Sequence, residues 1–303
     1  MSAARRIADT AWRIQQRGAP SPREYERLVR RWVRQVRALL ARLLRETHAD
    51  AAAEDEVAKQ IRIARFLAQL RGIRLPAPPT PAQIAAANAS AAKQGMRVAR
   101  NSLLQLGLPR EVMEARFQIP SGPSDLLVGI DIAPTAQDRA VLTGWAREGT
   151  DLISTVGQDL VAGLDEHVVA LARSGEPLSK LAEIVQDRLG VAERHALFIA
   201  RDQVAKLNSA LTESTQRAAG VTHYRWRSSN DQRVRPMHHA LDGSIQAWDE
   251  PPVTNEDGDR NNPGEDYQCR CVAIPVIDPE EKARAPKPLR APLDPLGLDA
   301  IPF

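Results

Sequence analysis

The two cysteines of this 303-residue chain, Cys269 and Cys271, lie one residue apart in the stretch GEDYQCRC. On a β-strand both thiols would point to the same face, because side chains alternate along a strand. Two thiolates on one face could form half of a zinc site, or one thiol could act as a nucleophile. The third interpretation is packing within a small β-domain. A disulfide is the weakest one, because an extended C-x-C pair has awkward geometry for a bridge.

The nearest candidate partners for the cysteines are His238 and His239 in the segment DQRVRPMHHALDG. Together, His238, Cys269 and Cys271 would supply three ligands, whereas closed structural zinc sites have four. The C-x-C spacing is also not that of a usual zinc knuckle, and the sequence contains no C-x-x-C. The sequence therefore favours two thiols and an imidazole that pack together. It predicts no cofactor, with a structural zinc ion as the open alternative.

An enzymatic function finds little support in the sequence. A thiol enzyme would need His238 or His239 as its base, and no other motif accompanies such a pair. The sequence contains no HExxH, no glycine-rich phosphate loop and no GxSxG. We therefore predict a protein that is not an enzyme and has no small-molecule substrate. A metal-dependent hydrolase that uses His238, Cys269 and Cys271 is the alternative.

The residues around this cluster predict a small β-containing region. Beyond Gly220, the segments THYRWRSS, GSIQAW and CRCVAIPV resemble three strands joined by polar turns. Trp226 and Trp248 would fill the core of this region, and Gly243 would occupy a hairpin position that needs a positive φ. Each of these residues has a structural interpretation. The C-R-C strand closes the predicted region.

The charge of the chain is distributed unevenly along its length. Residues 1–118 hold 22 of the 41 Lys and Arg residues but only 10 of the 38 Asp and Glu residues. Residues 1–118 therefore carry a net charge of +12, and residues 119–303 carry a net charge of −9. This pattern predicts a basic arm on an acidic body. No apolar run reaches the length of a membrane span, and the N-terminus lacks the apolar core of a signal peptide. The sequence predicts a cytoplasmic protein without membrane contact.

The segment SPREYERLVRRWVRQVRALLARLLRETHA predicts an amphipathic helix that Ser21 caps and Pro22 begins. Its apolar residues recur at helical spacing on one side. Its other side carries eight arginines that could contact DNA or an acidic protein surface: Arg23, Arg27, Arg30, Arg31, Arg34, Arg37, Arg42 and Arg45. Such a concentration of charge exceeds what a neutral surface needs. We predict that this face contacts a partner.

The rest of the chain is predicted to be mostly helical, which makes the fold class α+β. A second helix runs from about 52 to 70 with the apolar set Val57, Ile61, Ala64, Phe66, Leu67 and Leu70. The proline-rich stretch RLPAPPTPAQ predicts a semi-rigid linker before a single alanine-rich helix. Thr135 caps the next helix, Ser179 opens a shorter segment, and Gly190 breaks the chain before a long helix. That last helix ends at Gly220 as a C-cap glycine.

The order of these motifs resembles the phage Mu F-like minor head proteins, also called phage head morphogenesis proteins. The resemblance covers about residues 150 to 277: a long helix with an AR[DT][QE] motif, a glycine, an aromatic strand, a D-x-R-V-R-P-x-H turn and a closing C-R-C. The matching residues are Arg201, Asp202, Gln203, Gly220, Trp226, Asp231, Arg233, Arg235, Pro236, His238, Gly243, Trp248, Cys269, Arg270 and Cys271. Relatives with a C-P-x-C turn could build a four-ligand metal site with the later C-R-C. Here Arg235 and His238 stand where those two cysteines would be.

The resemblance implies a non-enzymatic minor head protein of a tailed phage or prophage. It implies association with the portal protein and with capsid or scaffold proteins, assembly in the host cytoplasm and later residence in the virion head. Contact with phage DNA, independent of its sequence, would be a second use of the arginine face. The alternative function is a DNA-binding module that works through this face. Four regions follow: a basic helical arm (1–74), a Pro-rich linker with the Ala-rich helix (75–120), the Mu F-like domain (121–277) and a Pro-rich tail (278–303).

Overall fold

The computed structural model describes residues 21–48, 56–117, 133–174 and 176–277. Of these residues, 67% are helical, and a small three-stranded antiparallel sheet lies near the C-terminal end of the described chain. The predicted α+β class is therefore confirmed. The Pro-rich tail at 278–303, residues 1–20 of the basic arm and the predicted start of the second helix lie outside the described residues. None of the described helices has both the length and the apolar character that a membrane crossing requires.

Eight helices and three strands follow one another along the described residues. The helices are α1 (Arg23–His48), α2 (Glu56–Arg71), α3 (Pro81–Ala87), α4 (Ala89–Gln105), α5 (Arg110–Phe117), α6 (Ala136–Ser174), α7 (Ser179–Ala218) and α8 (Pro236–Ala240). The strands are β1 (His223–Arg227), β2 (Ile245–Ala247) and β3 (Val272–Val276).

The helices and strands divide between two compact units. Among the described residues, unit 1 contains 90–117, 133–141 and 204–277, and unit 2 contains 21–48, 56–89, 142–174 and 176–203. Each unit is thus built from separate parts of the sequence, and α6 and α7 contribute residues to both. The linear boundaries at 74, 120 and 277 that the sequence suggests stay a prediction.

Helix α1 is amphipathic as predicted, and its apolar side belongs to the core of unit 2. Tyr25, Val29 and Trp32 are buried, whereas all eight arginines of the opposite side are exposed. Two glycines of α6 allow it to approach α1 closely. A Cβ at Gly149 would lie 2.6 Å from the Tyr25 hydroxyl, and one at Gly157 would lie 3.3 Å from the Trp32 ring.

Helix α2 buries only part of the apolar set that the sequence suggested, and it buries Ile63 in addition. Ile63 is buried together with Phe66 and Leu70, whereas Val57 is 64% and Ile61 54% exposed. The prediction that Val57 and Ile61 belong to the packed face was therefore wrong. It failed because both sets of apolar residues recur at helical spacing, and the pattern alone does not select between them.

The proline-rich stretch before α3 packs within unit 2 rather than only spacing two regions. The Trp32 indole donates a hydrogen bond to the Pro76 carbonyl over 3.0 Å, and the Thr150 hydroxyl donates to the Pro79 carbonyl over 2.8 Å. Thr80 then forms a capping box at the start of α3. The stretch is extended, as expected, but its backbone carbonyls are fixed by α1 and α6.

Two predicted helix boundaries differ in the structure. The alanine-rich segment forms two helices, α3 and α4, because the chain leaves helical geometry at Asn88, whose side-chain amide donates to the Ile84 carbonyl. Conversely, α7 runs without a break through Gly190, so the predicted interruption there was wrong. Gly220 does end α7: it has a φ of +81°, and the Val221 N–H donates to the Gln216 carbonyl over 2.9 Å.

A buried ion pair connects the helices of unit 1. Arg100 of α4 is fully buried, and its guanidinium donates to the Asp138 carboxylate of α6 over 2.9 Å. The other oxygen of Asp138 accepts a hydrogen bond from Ser214 of α7, and the Phe117 ring of α5 lies 4.7 Å from the guanidinium carbon. Thr135 caps α6 as predicted, since its hydroxyl accepts from the Asp138 N–H.

The sheet has the order β2-β1-β3, and β1 pairs antiparallel with both neighbours. Trp226 of β1 is paired with Ala273 of β3, and Tyr224 is paired with Gln246 of β2. All three predicted strands are present. However, β3 begins at Val272, so Cys269 and Cys271 lie in the connection just before it. The expectation that the C-R-C segment is itself a strand was wrong.

Candidate functional site

The site lies in unit 1, where the turn after β1 meets the C-R-C segment before β3. Asp231 of the turn binds Arg270, the central residue of C-R-C, through both carboxylate oxygens over 2.5 and 2.6 Å. The hydrogen bonds from Arg270 hold the pKa of the Asp231 carboxyl well below its usual range, assisted by the backbone N–H of Arg233. Asp231, the first residue of the D-x-R-V-R-P-x-H turn, is thereby joined to the C-R-C motif.

A second contact joins the same two segments. The Arg235 guanidinium donates to the Tyr267 carbonyl over 2.5 Å. Pro236 then begins the short helix α8, where its missing N–H costs no hydrogen bond. Helix α8 is what carries His238 into the interior, while the neighbouring His239 stays exposed.

His238, Cys269 and Cys271 form the third contact. Their ligand atoms lie within 4.8 Å of one another, and the residues are 2%, 4% and 6% exposed. The Nδ1 atom of His238 lies 3.4 Å from the Cys269 sulfur and 3.5 Å from the Cys271 sulfur. Its Nε2 atom donates to the Asp266 carboxylate over 2.9 Å. The structure therefore brings together the three residues that the sequence singled out.

The environment shifts the pKa values of the Cys269 and Cys271 thiols in opposite directions. The pKa of the Cys269 thiol is lowered to about 5, chiefly by the hydrogen bond from Cys271, with a further contribution from His238. The hydrogen bond with Cys269 and burial raise the pKa of the Cys271 thiol, and the charge of Cys269 adds to this effect. Burial opposes a charge on His238, but the contacts with Cys269 and Asp266 outweigh it and raise the pKa of His238. Of the two thiols, Cys269 is thus the one whose surroundings favour the thiolate.

Backbone and aromatic groups complete the surroundings of the sulfurs. The N–H groups of Gly264 and Cys271 each lie 3.4 Å from the Cys269 sulfur, as donors to a thiolate would. The Trp226 ring stands edge-on to His238 with its centroid 5.3 Å away, and Trp248 is buried in the same cluster. Such surroundings shield the three side chains from bulk solvent, so they can serve a buried contact or a buried ion.

Two hairpin features hold the other side of the cluster. Gly243 has a φ of +83°, as the sequence-based turn required, and its N–H donates to the Trp226 carbonyl. The Trp248 indole lies 3.3 Å from the Gln216 side-chain oxygen, and the amide of Gln216 donates to the Ala273 carbonyl. The end of α7 is thereby attached to both β-segments.

The A-R-D-Q motif of α7 serves a different set of contacts, all within unit 2. Arg201 pairs with Glu26 of α1 over 2.7 Å. Gln203 donates to Glu148 of α6, and its carbonyl accepts the Trp145 indole N–H over 2.7 Å. Asp202 is buried. The motif thus fixes α1 and α6 against α7, and it contributes no side chain to the cysteine cluster.

The arginine face of α1 is less uniformly positive than the sequence suggested. Arg30 and Arg37 both pair with Glu193 of α7, over 3.2 and 2.9 Å. Arg27 pairs with Glu24 and Arg42 with Glu46 along the helix itself. Within the described residues, the arginines without an acidic partner are Arg23, Arg31, Arg34 and Arg45. Half of the eight arginines are therefore paired: two with acidic residues of α1 itself, and two with Glu193, which is far away in sequence.

Two residues of the site were missed from the sequence, although both lie in the quoted stretch GEDYQCRC. Asp266 accepts a hydrogen bond from His238 and orients its ring, and the Tyr267 carbonyl accepts a hydrogen bond from the Arg235 guanidinium. An acidic residue three positions before Cys269 was an available signal for the first. The second is a backbone contact, which residue types do not reveal.

Comparison with known proteins supports the resemblance over the region that contains this site. That region contains the long helix α7, the small sheet, and the turn and C-R-C segments that the site joins. Its resemblance to known proteins suggests a phage head morphogenesis protein. Residues 163–274 match the family model described as phage Mu protein F like protein. The resemblance derived from the motifs is thereby confirmed for this part of the chain.

One curated relative extends the comparison. An uncharacterized protein of Haemophilus influenzae is 37% identical over 131 residues, which are 43% of this chain and 28% of the relative. The chain therefore aligns with less than a third of that relative's length. No solved structure matches the chain significantly.

Proposed function

We propose that this chain is a non-enzymatic minor head protein of a tailed phage or prophage that acts in head morphogenesis. The observation that carries the proposal is the agreement between the match at residues 163–274 and the contacts made by the motif residues. Asp231, Arg270 and His238 join the turn to the C-R-C segment. The protein is assembled in the host cytoplasm and then resides in the virion head.

The partner surface in this proposal is the exposed side of α1, which meets the portal protein or a capsid or scaffold protein. Arg31, Arg34 and Arg45 present positive charge that no described carboxylate neutralises. The exposed pair Val57 and Ile61 on α2 adds apolar surface in the same unit. Apolar contacts favour a protein partner, because a phosphate backbone offers little apolar surface to bury.

Non-specific contact with phage DNA is the second candidate. The unpaired arginines from Arg23 to Arg45 extend over about 33 Å of helix, at 1.5 Å per residue. That length is similar to one turn of duplex, and phosphate contacts of this kind weaken steeply with salt. The pairing of Arg30 and Arg37 with Glu193 reduces the charge available for DNA, which is why we place this function second.

A hydrolase at His238, Cys269 and Cys271 is the least supported function. All three side chains are buried, so a substrate would have no access to the sulfur atoms or the imidazole without opening the core around Trp226. A catalytic site normally lies in a concave pocket that admits its substrate. The burial favours a structural use of the cluster.

The location of the protein tests this proposal. Heads would be purified from a phage or prophage that carries the gene and from an otherwise identical deletion strain, and their proteins would be quantified by mass spectrometry. We expect the protein in wild-type heads, and fewer complete heads in the deletion strain. Absence of the protein from wild-type heads, with normal heads in the deletion strain, would contradict the proposed function.

A further inference from the structure

The imidazole nitrogen and the two sulfurs of the cysteine cluster have the nitrogen–sulfur distances of a metal coordination shell, and all three atoms lie within 4.8 Å of one another. With Zn–S and Zn–N bonds of about 2.3 and 2.0–2.1 Å, tetrahedral geometry separates a ligand sulfur and nitrogen by about 3.6 Å. The His238 Nδ1 atom lies 3.4 and 3.5 Å from the two sulfurs. A zinc ion could therefore occupy the space between these atoms with only small shifts of their side chains.

The orientation of His238 suits the same purpose. Its Nε2–H donates to the Asp266 carboxylate, so that in the neutral ring Nδ1 has its lone pair directed at the sulfurs. Histidines that bind metals usually donate their other N–H to a carboxylate or carbonyl, which fixes the tautomer and the ring plane. Two thiol–imidazole hydrogen bonds alone would not require that second contact.

The surroundings of the sulfurs also favour negative charge at this point. Two backbone N–H groups, from Gly264 and Cys271, are directed at the Cys269 sulfur over 3.4 Å. A pair of thiolates on one cation is the arrangement that such donors stabilise.

We propose that His238 Nδ1, Cys269 Sγ and Cys271 Sγ bind one Zn²⁺ ion, with a water molecule as the fourth ligand. Among the described residues, these three are the ones that gather donor atoms in this way. The ion would replace weak hydrogen bonds with coordination bonds between the turn and the C-R-C segment. Its role is to hold these segments together, and it stands independently of the proposed head function.

The test uses the full chain, reduced and freed of metal with a chelator, and titrated with Co²⁺ as a spectroscopic probe. We expect one equivalent of Co²⁺ to bind, with a thiolate-to-cobalt charge-transfer band and the strong visible bands of a tetrahedral site. Added Zn²⁺ should displace the cobalt, remove these bands and protect both thiols of the wild-type chain from alkylation. These readouts need no variant, so they remain decisive if a substitution prevents folding.

Variants then assign the ligands. Cys269→Ser and Cys271→Ser should each weaken the charge-transfer band, and Asp266→Asn should lower the affinity by about 10–100-fold. His239→Ala changes the exposed neighbouring histidine and should bind as the wild type does. A wild-type chain that takes up neither metal would overturn the proposal. So would metal binding without a thiolate band, or binding that is equal in wild type and Cys269→Ser.

Discussion

Arg270 is the residue whose role the structure explains best. Within C-R-C it lies between two buried cysteines, but its own side chain turns outward to bind Asp231 with two hydrogen bonds. The motif therefore has two functions at adjacent positions, since the cysteines face the interior and the arginine holds the turn. The spacing C-R-C follows from this alternation.

Asp231→Asn should reduce stability in a pH-dependent way. Because Arg270 lowers the pKa of Asp231 in the folded state, the carboxylate stabilises the fold above its unfolded pKa of about 3.9. That contribution is lost as the pH falls through the lower folded pKa. We expect wild type to exceed the variant in free energy of unfolding by a constant amount between about pH 5 and 8, with the difference shrinking below about pH 4.

Urea titrations followed by tryptophan fluorescence at a series of pH values would measure this difference, because Trp226 and Trp248 lie in the same unit. Asp257→Asn is the matched control, since Asp257 is exposed in a neighbouring loop. Equal stability of wild type and Asp231→Asn at pH 7 would show that the pair with Arg270 contributes nothing to the fold.

At the residue scale the sequence predicted the members of the cluster but not their surroundings. Their residue types sufficed to group His238 with the two cysteines. Asp266 and Tyr267 reach their positions through a loop in which Gly264 and Gln268 have φ values of +90° and +52°. Left-handed backbone at a non-glycine residue is uncommon, so no local propensity indicated this path.

At the scale of elements, α7 shows how packing overrides a local rule. Glycine lowers helix propensity, and Gly190 is followed by a plausible helix start, so the sequence suggested two helices. In the structure, Leu189 and Ala192 beside the glycine are buried, and most of the stability of a helix comes from such packing. A similar ambiguity affected α2, where two apolar stripes had equal spacing.

Gly190→Ala should stabilise the protein by about 0.5–1 kcal/mol, because alanine restricts the unfolded chain and favours a helix interior. The nearest atom to the new Cβ, at 3.4 Å, is the end of the flexible Arg194 side chain. Gly220→Ala is the opposing control, and it should destabilise by about 1–2 kcal/mol because its φ is +81°. Denaturant unfolding measures both, and a loss of stability in Gly190→Ala would argue for a break in α7.

At the scale of the whole molecule, the charge asymmetry of the sequence and the contacts of unit 2 must be considered together. Part of the positive charge of α1 is paired within unit 2, because Glu193 of α7 binds both Arg30 and Arg37. The amount of charge was visible in the sequence, but its neutralisation depends on the packing of α1 with α7. Deleting α1 would remove Tyr25 and Trp32 from the core of unit 2, so substitutions on the exposed side are the appropriate test.

Binding to the portal protein of the same phage or prophage tests the central claim most directly. The chain would be co-expressed with that portal protein, and the amount retained on the purified portal would be measured over a series of salt concentrations. Arg31→Glu, Arg34→Glu and Arg45→Glu are combined in one variant. Its control reverses three other exposed arginines of unit 2 by the same charge: Arg65→Glu, Arg147→Glu and Arg173→Glu.

We expect wild type and the control to be retained on the portal and the α1 variant to be lost, because only the α1 variant reverses three of the four α1 arginines that have no acidic partner among the described residues. Wild-type retention should decrease as salt screens these charges. Failure of the wild-type chain to bind the portal at any salt concentration would contradict the portal assignment, and duplex DNA would then be the partner to measure. Equal retention of wild type and the α1 variant would contradict the role of the arginine face.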